Sequence, residues 1–336
     1  AFKADAKPGS HMTQPASTAP ITPSFITVDG LTKRFGTTVA LDGVDLRLAK
    51  GETLAIIGPS AAGKSVLMKC LVGIYGADRG SIILDGDDVS KPNADKRPEW
   101  ASKIGMLFQQ NALFDSLTVW ENICFRQIEL GTMNRSQAKA HAIDLLAHVG
   151  LAEESAVLSP SDLSGGMQKR VGIARAISSD PTVLLLDNPT AGLDPVLSNH
   201  IELMIAKIAE QRGTTVISIT NDMQIARNRY QNLMMMHNGK VYWSGPTSTI
   251  DDAHNDHLTQ MLKGSSHGPI TMRAGKRDEA FTPDDGTSIL KLVGGIDRYV
   301  GIPDDIGPNR PRMAIGKQRI NFRKMPKTHH RTAAEF

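Results

Sequence analysis

Gly58-Pro59-Ser60-Ala61-Ala62-Gly63-Lys64-Ser65 is the stretch on which the fold turns. It matches the pattern GxxxxGK[ST] in full. Such a loop curls so that successive backbone N–H groups point inward at phosphate oxygens. Gly63 lets the backbone approach closely, Lys64 places a positive charge on the terminal phosphates, and Ser65 offers a hydroxyl to Mg²⁺. The run Thr53-Leu54-Ala55-Ile56-Ile57 before it reads as a buried strand. Val66, Leu67, Cys70 and Leu71 after it lie at helical spacing. A helix starting at this point aims its positive end at the same anion. The unit predicts a bound nucleoside triphosphate with Mg²⁺.

Two more short apolar runs follow, Val183-Leu184-Leu185-Leu186 and Val216-Ile217-Ser218-Ile219. Continuous apolar runs suit parallel strands covered on both faces. Leu197, Ile201, Met204, Ile205 and Ile208 form a helical stripe between them. Alternation of strands and helices predicts an α/β domain with a largely parallel sheet. Over residues 116–178 the strand signal vanishes, and Ala142, Ile143, Leu145, Leu146 and Val149 mark a helix. An α-helical insertion is expected there.

Leu163-Ser164-Gly165-Gly166-Met167-Gln168 runs straight into a helical pattern. It resembles the LSGGQ signature of ATP-binding cassette (ABC) proteins. Ser164, Gly165, Gly166 and Gln168 would, by that resemblance, face the ATP held by a second subunit. Other segments resemble the family in the right order. Phe35 resembles the aromatic that stacks on adenine. Gln109 resembles the glutamine that senses Mg²⁺ and contacts the membrane subunit. Asp187 resembles the acidic residue supporting Mg²⁺, and Asp194 belongs to a loop like the one that crosses the dimer interface. The metal set implied is Ser65, Gln109 and Asp187. The fold implied is a P-loop NTPase (RecA-like) ABC nucleotide-binding domain over 25–265, with its helical subdomain at about 116–178.

Two positions depart from the family pattern. Asn188 stands where a catalytic glutamate is usual, and Asn221 where a histidine contacts the γ-phosphate. An amide orients a water by hydrogen bonding but is a very poor proton acceptor. Loss of a general base costs about 10²–10⁴ in rate. Slow hydrolysis with retained ATP binding is therefore expected. Ala61 is a smaller departure, significant only if that residue needs positive φ.

Leu113-Phe114-Asp115-Ser116-Leu117-Thr118-Val119-Trp120-Glu121-Asn122-Ile123, Gly245-Pro246-Thr247 and Gly268-Pro269-Ile270 resemble the ATPase subunits of MCE-type lipid transport systems, including the Mla phospholipid group. That resemblance implies a homodimer, transmembrane permease subunits, an MCE-type substrate-binding subunit, and a place on the cytoplasmic face of the inner membrane. The alternatives are a small-solute importer cassette or a non-transport regulatory or DNA-repair ABC ATPase. The last usually carries a long coiled-coil insertion or two cassettes in one chain, and neither is found in this sequence.

Composition fits this reading. Of 336 residues, 40% are hydrophobic, enough for a core, and the net charge of +3 is too small to imply a polyanion partner. Aromatics are only 5%, which disfavours a nucleic-acid platform, and no nucleic-acid partner is expected. Cys70 and Cys124 stand apart from any CxxC pair or His cluster, so buried small hydrophobes are expected rather than a disulfide or zinc site. No stretch approaches the roughly 20 apolar residues of a membrane span. Residues 1–24 read as a tag remnant (Gly9-Ser10-His11-Met12) and a Pro/Ser/Thr-rich lead-in without the apolar run of a secretory signal. Residues 266–336 read as a poorly ordered basic extension. From Arg273 onward it holds 13 Lys/Arg against 8 Asp/Glu. A solvated tail is the first expectation for it; contact with anionic lipid, a partner subunit or nucleic acid is the alternative.

Overall fold

The computed structural model describes residues 24–90, 100 and 102–271. The lead-in through residue 23 and the tail beyond 271 lie outside the described residues. Within these bounds two sheets share one domain. Strands β1 (Ser24–Phe35), β2 (Thr38–Ala49), β4 (Arg79–Leu84) and β5 (Asp87–Asp88) form an antiparallel sheet in the order β2-β1-β4-β5. The second sheet contains β3 (Thr53–Ile57), β6 (Ile104–Leu107), β7 (Val183–Asp187), β8 (Thr215–Ile219), β9 (Asn232–His237) and β10 (Lys240–Pro246). Its order is β10-β9-β3-β8-β7-β6, parallel except for the β9–β10 hairpin.

The parallel strands are apolar throughout because both faces are covered. Alternate side chains enter two different cores. Ala55, Ile57, Leu184, Leu186 and Val216 face a helical layer. Leu54, Ile56, Leu185, Ile217 and Ile219 face the antiparallel sheet and helix α1 (Lys64–Leu71).

The helical layer includes α2 (Val119–Ile123), α3 (Phe125–Glu129), α4 (Arg135–His148) and α5 (Gly165–Ile177), all between β6 and β7. Thr118 with Glu121 and Asn134 with Gln137 form capping boxes that start α2 and α4. Helix α6 (Pro195–Arg212) begins with an Asp194 cap and proline at its first position, and ends at Gly213 with φ 59°. Its buried residues include Ile201, Met204 and Ile205. Helices α7 (Met223–Arg229) and α8 (Asp256–Lys263) follow. Gln260 of α8 accepts from Ile270 N and donates to Ile270 O, so the chain stays attached to the domain up to that point.

Both cysteines are fully buried and unpaired, and burial pushes each thiol up to about 12. Among the described residues no helix is long and apolar enough to cross a membrane.

Candidate functional site

Four loops leave the parallel sheet at its carboxyl edge, where α/β sheets place ligands. The register makes that edge level: Ile56 and Asp187 both pair with Ile219, and Leu107 pairs with Leu186. The loop after β3 carries residues 58–63, the loop after β6 carries Gln109, and those after β7 and β8 carry Asn188 and Asn221.

These loops wall one cleft of about 470 Å³. Phe35, Ser60 through Ser65, Gln109, Asn188 and Asn221 line it. Gly58, which is buried, and the half-buried Pro59 precede this stretch and are not among the lining residues. Two glycines are obligatory. A Cβ on Gly58 would stand 2.1 Å from Met236 O, and one on Gly63 would stand 2.5 Å from Ala40 O. Both also adopt positive φ, 145° and 97°. Ala61 holds φ 60°, the left-handed region that glycine occupies without strain.

Lys64 is buried, and its Nζ donates to Gly58 O at 2.7 Å and Pro59 O at 2.8 Å. The ammonium is thereby held beneath the curled loop. Ser65 hydrogen-bonds the carboxylate of Asp187, which is 4% exposed. Burial lowers the Lys64 pKa and raises that of Asp187, and each opposes the other's shift as its counter-charge. Lys169 of α5 is buried nearby and donates to Asn188 O at 3.2 Å. Its pKa is lowered by burial, with Asp187 opposing.

Asn188 has φ 52°, its N–H donates to Ile219 O, and its Nδ2 donates to Asp187 Oδ1 at 3.2 Å. Neither a histidine nor a carboxylate is among the described residues lining this cleft; Asp187 is joined to it through Ser65, and Asp222 lines the adjoining pocket that shares Asn188 and Asn221. Asn221 is exposed at the cleft, and Asp222 beside it caps α7 by accepting from Gln224 N and Ile225 N.

The remaining sequence-predicted residues lie elsewhere in the chain. Ser164 caps α5, accepting from Met167 N at 3.3 Å, and Ser164 and Gly165 are exposed. Gln168 turns back on its own loop, donating to Pro160 O and Leu163 O. Asp194 caps α6 through Val196 N and Leu197 N. None of these lines the cleft of its own chain.

Sequence reasoning missed several residues. Arg175 of α5 is buried and donates to Asn111 O and Ala112 O, each at 2.6 Å. Those two residues hold φ 61° and 48°, so the guanidinium ties down the strained loop that follows Gln109. Burial lowers the Arg175 pKa to about 10. Lys69 and Tyr75 also line the cleft. Helical spacing of four from Ser65 would have flagged Lys69; nothing local marks Tyr75 or Arg175.

The Ser65–Asp187 pair and the Lys64 cradle suit a nucleoside triphosphate with Mg²⁺, in chemistry and in close backbone approach. Comparison with known proteins agrees. The family described as ABC transporter matches residues 41–191. The probable ribonucleotide transport ATP-binding protein mkl of Mycobacterium tuberculosis is 34% identical over 306 residues, covering 89% of this chain and 84% of that protein. The glutamine transport ATP-binding protein GlnQ of Escherichia coli is 37% identical over 240 residues, covering 71% of this chain and 99% of that one. A dimeric structure of the ATP-binding cassette MJ0796 bound to ADP and Pi superposes with TM-score 0.62 at 29% identity, covering 66% of this chain and 98% of that one. Proteins of this kind bind ATP, typically with Mg²⁺, dimerise, and pair with transmembrane permease subunits. With cassette fold, phosphate loop and relatives in agreement, this chain belongs to the ABC transporter family as one of its ATP-binding cassettes.

Proposed function

We propose that the chain binds Mg²⁺–ATP in the cleft at the sheet edge, closes into a homodimer, and drives a lipid transporter while hydrolysing ATP slowly. The observation that carries this reading is the cleft in which the loop 60–65, Gln109, Asn188 and Asn221 meet, while Asp222, which lines the adjoining pocket with Asn188 and Asn221, is taken up in capping α7.

Backbone N–H groups of the loop and the Lys64 ammonium take the phosphates. Phe35 stacks on the base. Ser65, Gln109 and Asp187 hold Mg²⁺, which supplies charge neutralisation on the terminal phosphates when bound. Asn188 and Asn221 orient a water through their amides but accept no proton from it. Ser164, Gly165, Gly166 and Gln168 serve the ATP of the second subunit, and Asp194 lies at the junction between subunits. This division accounts for the signature residues standing outside the cleft of their own chain.

Lipid as cargo rests on the resemblance of residues 113–123 to MCE-type ATPases. In such a system the cassette lies at the cytoplasmic face of the inner membrane, joined to a permease and an MCE-type subunit. A small-solute importer is the second reading, favoured by relatives named for ribonucleotide and glutamine transport. Co-purification from membranes separates the two. An MCE-type subunit supports the first; a soluble solute-binding protein in its place replaces it with the second.

The nucleotide reading is tested by equilibrium binding of a fluorescent ATP analogue, with Lys64→Met as control, and by phosphate release. Micromolar Mg²⁺-dependent binding lost in Lys64→Met is expected. Brisk phosphate release by the unmodified chain would remove the claim of slow hydrolysis.

A further inference from the structure

Phe35 is the last residue of β1, at a hairpin turn, and is only half-buried. A ring placed there needs something beside it to fix its plane. Tyr75 stands against it with centroids 5.0 Å apart and planes at 72°, an edge-to-face contact. Tyr75 is 8% exposed and anchored in the core beneath the antiparallel sheet, so it is the stationary member of the pair.

The anchoring traces back to the phosphate loop. Helix α1 begins at Lys64 and spans about 12 Å. Beyond its end the Tyr75 N–H donates to Lys69 O at 3.2 Å, and Lys69 Nζ lies 5.6 Å from the Tyr75 ring. On the other ring, Lys33 Nζ lies 5.4 Å from the Phe35 centroid and is held by Asp78 at 3.1 Å. One helix thus sets both the phosphate end of the cleft and the aromatic end.

We propose that Tyr75 is the positioning residue of the nucleobase subsite: its ring, set nearly perpendicular to Phe35, holds that ring in the plane on which the base of a nucleoside triphosphate stacks. This rests on the nucleotide reading given above. Tyr75 acts through Phe35, and the phosphates are held independently of it.

The test measures binding of ATP and of inorganic tripolyphosphate, which lacks a base, to the full chain and to Tyr75→Leu, Tyr75→Phe, Phe35→Ala and the Phe35→Ala/Tyr75→Leu double variant. Tyr75→Leu is expected to weaken ATP binding about three- to tenfold, the size of one aromatic pair contact. It should leave tripolyphosphate within twofold. Tyr75→Phe keeps the aromatic ring and should keep ATP affinity. In the Phe35→Ala background the Tyr75→Leu change should add nothing, since the pair is one unit. Equal loss of ATP and tripolyphosphate, or additive losses in the double variant, overturns the proposal in favour of a general packing role. If the unmodified chain binds neither ligand, the nucleotide reading fails and this one with it; if it binds both and Tyr75→Leu changes nothing, only this one fails.

Discussion

The side-chain amide of Asn188 donates to Asp187 Oδ1 across 3.2 Å, a bond that a glutamate at that position could not make. Asn188 also sits at φ 52°, a region asparagine tolerates better than glutamate. Asparagine therefore suits the fold locally even though it lacks a base. In the Asn188→Glu/Asn221→His variant, phosphate release should rise by about 10²-fold or more. The nucleotide-free variant should lose roughly 1–2 kcal/mol of stability, as two carboxylates meet in a buried place. Phosphate release and urea unfolding with and without Mg²⁺–ATP check both halves.

Ala61 occupies the left-handed region inside the phosphate loop. Ala61→Gly should stabilise the domain by about 0.5–1 kcal/mol, relief of backbone strain exceeding the added freedom of the unfolded chain. ATP affinity should not fall, since the residue's contribution there is backbone. Thermal denaturation and nucleotide titration on the same preparation read these out.

Glu202 of α6 is 1% exposed, and Tyr230 Oη donates to its Oε2 at 3.1 Å. Burial raises its pKa to about 7, with Tyr230 and Arg229 opposing and Asp222 adding to the shift. The folded state thus keeps a proton that the unfolded chain releases near its ordinary value. Stability is present in full at low pH and declines as pH rises toward about 7, then levels. Glu202→Gln should remove this slope and leave the domain roughly 3 kcal/mol more stable at pH 8. Urea midpoints at pH 5.5 and 8 give the answer; parallel profiles for the two proteins would contradict it.

Arg175 satisfies two carbonyls of a strained loop from a different element. Arg175→Met should leave Asn111 O and Ala112 O without their donor and cost about 3 kcal/mol. Because that loop carries Gln109, the Mg²⁺ dependence of ATP binding should weaken more than ATP binding in excess Mg²⁺. Arg175→Lys restores one donor and should fall between. Calorimetric melting and Mg²⁺ titrations separate the two effects.

Much of the molecule was legible because its signals are local. β3, β7 and β8 announce themselves as continuous apolar runs, and the loop between Gly58 and Ser65 is a contiguous pattern. Gln109, Asn188 and Asn221 follow strands and so arrive at one edge. The antiparallel sheet was not legible in detail. The pairing of β1 with β2 shifts register between Val28 and Leu31 and again around Lys33, which breaks the alternation a strand would otherwise display. Arg175 and Tyr75 were invisible for another reason. Arg175 meets a loop 64 residues away, and Tyr75 meets a ring 40 positions earlier, so no window of sequence contains either pair.

Ile56 and Ile57 are chain neighbours, yet one is packed beneath the antiparallel sheet and the other beneath the helices. Every parallel strand is shared in this way, so neither half owns a scaffold of its own. Melting one core strips the support from the other, and the domain should unfold as a single cooperative unit. Trp100 reports from one side and Trp120 from the other. Followed in variants that lack Trp243 and retain only one of these two, the two fluorescence transitions should coincide in urea. The site's two ends, aromatic and catalytic, would then be lost together.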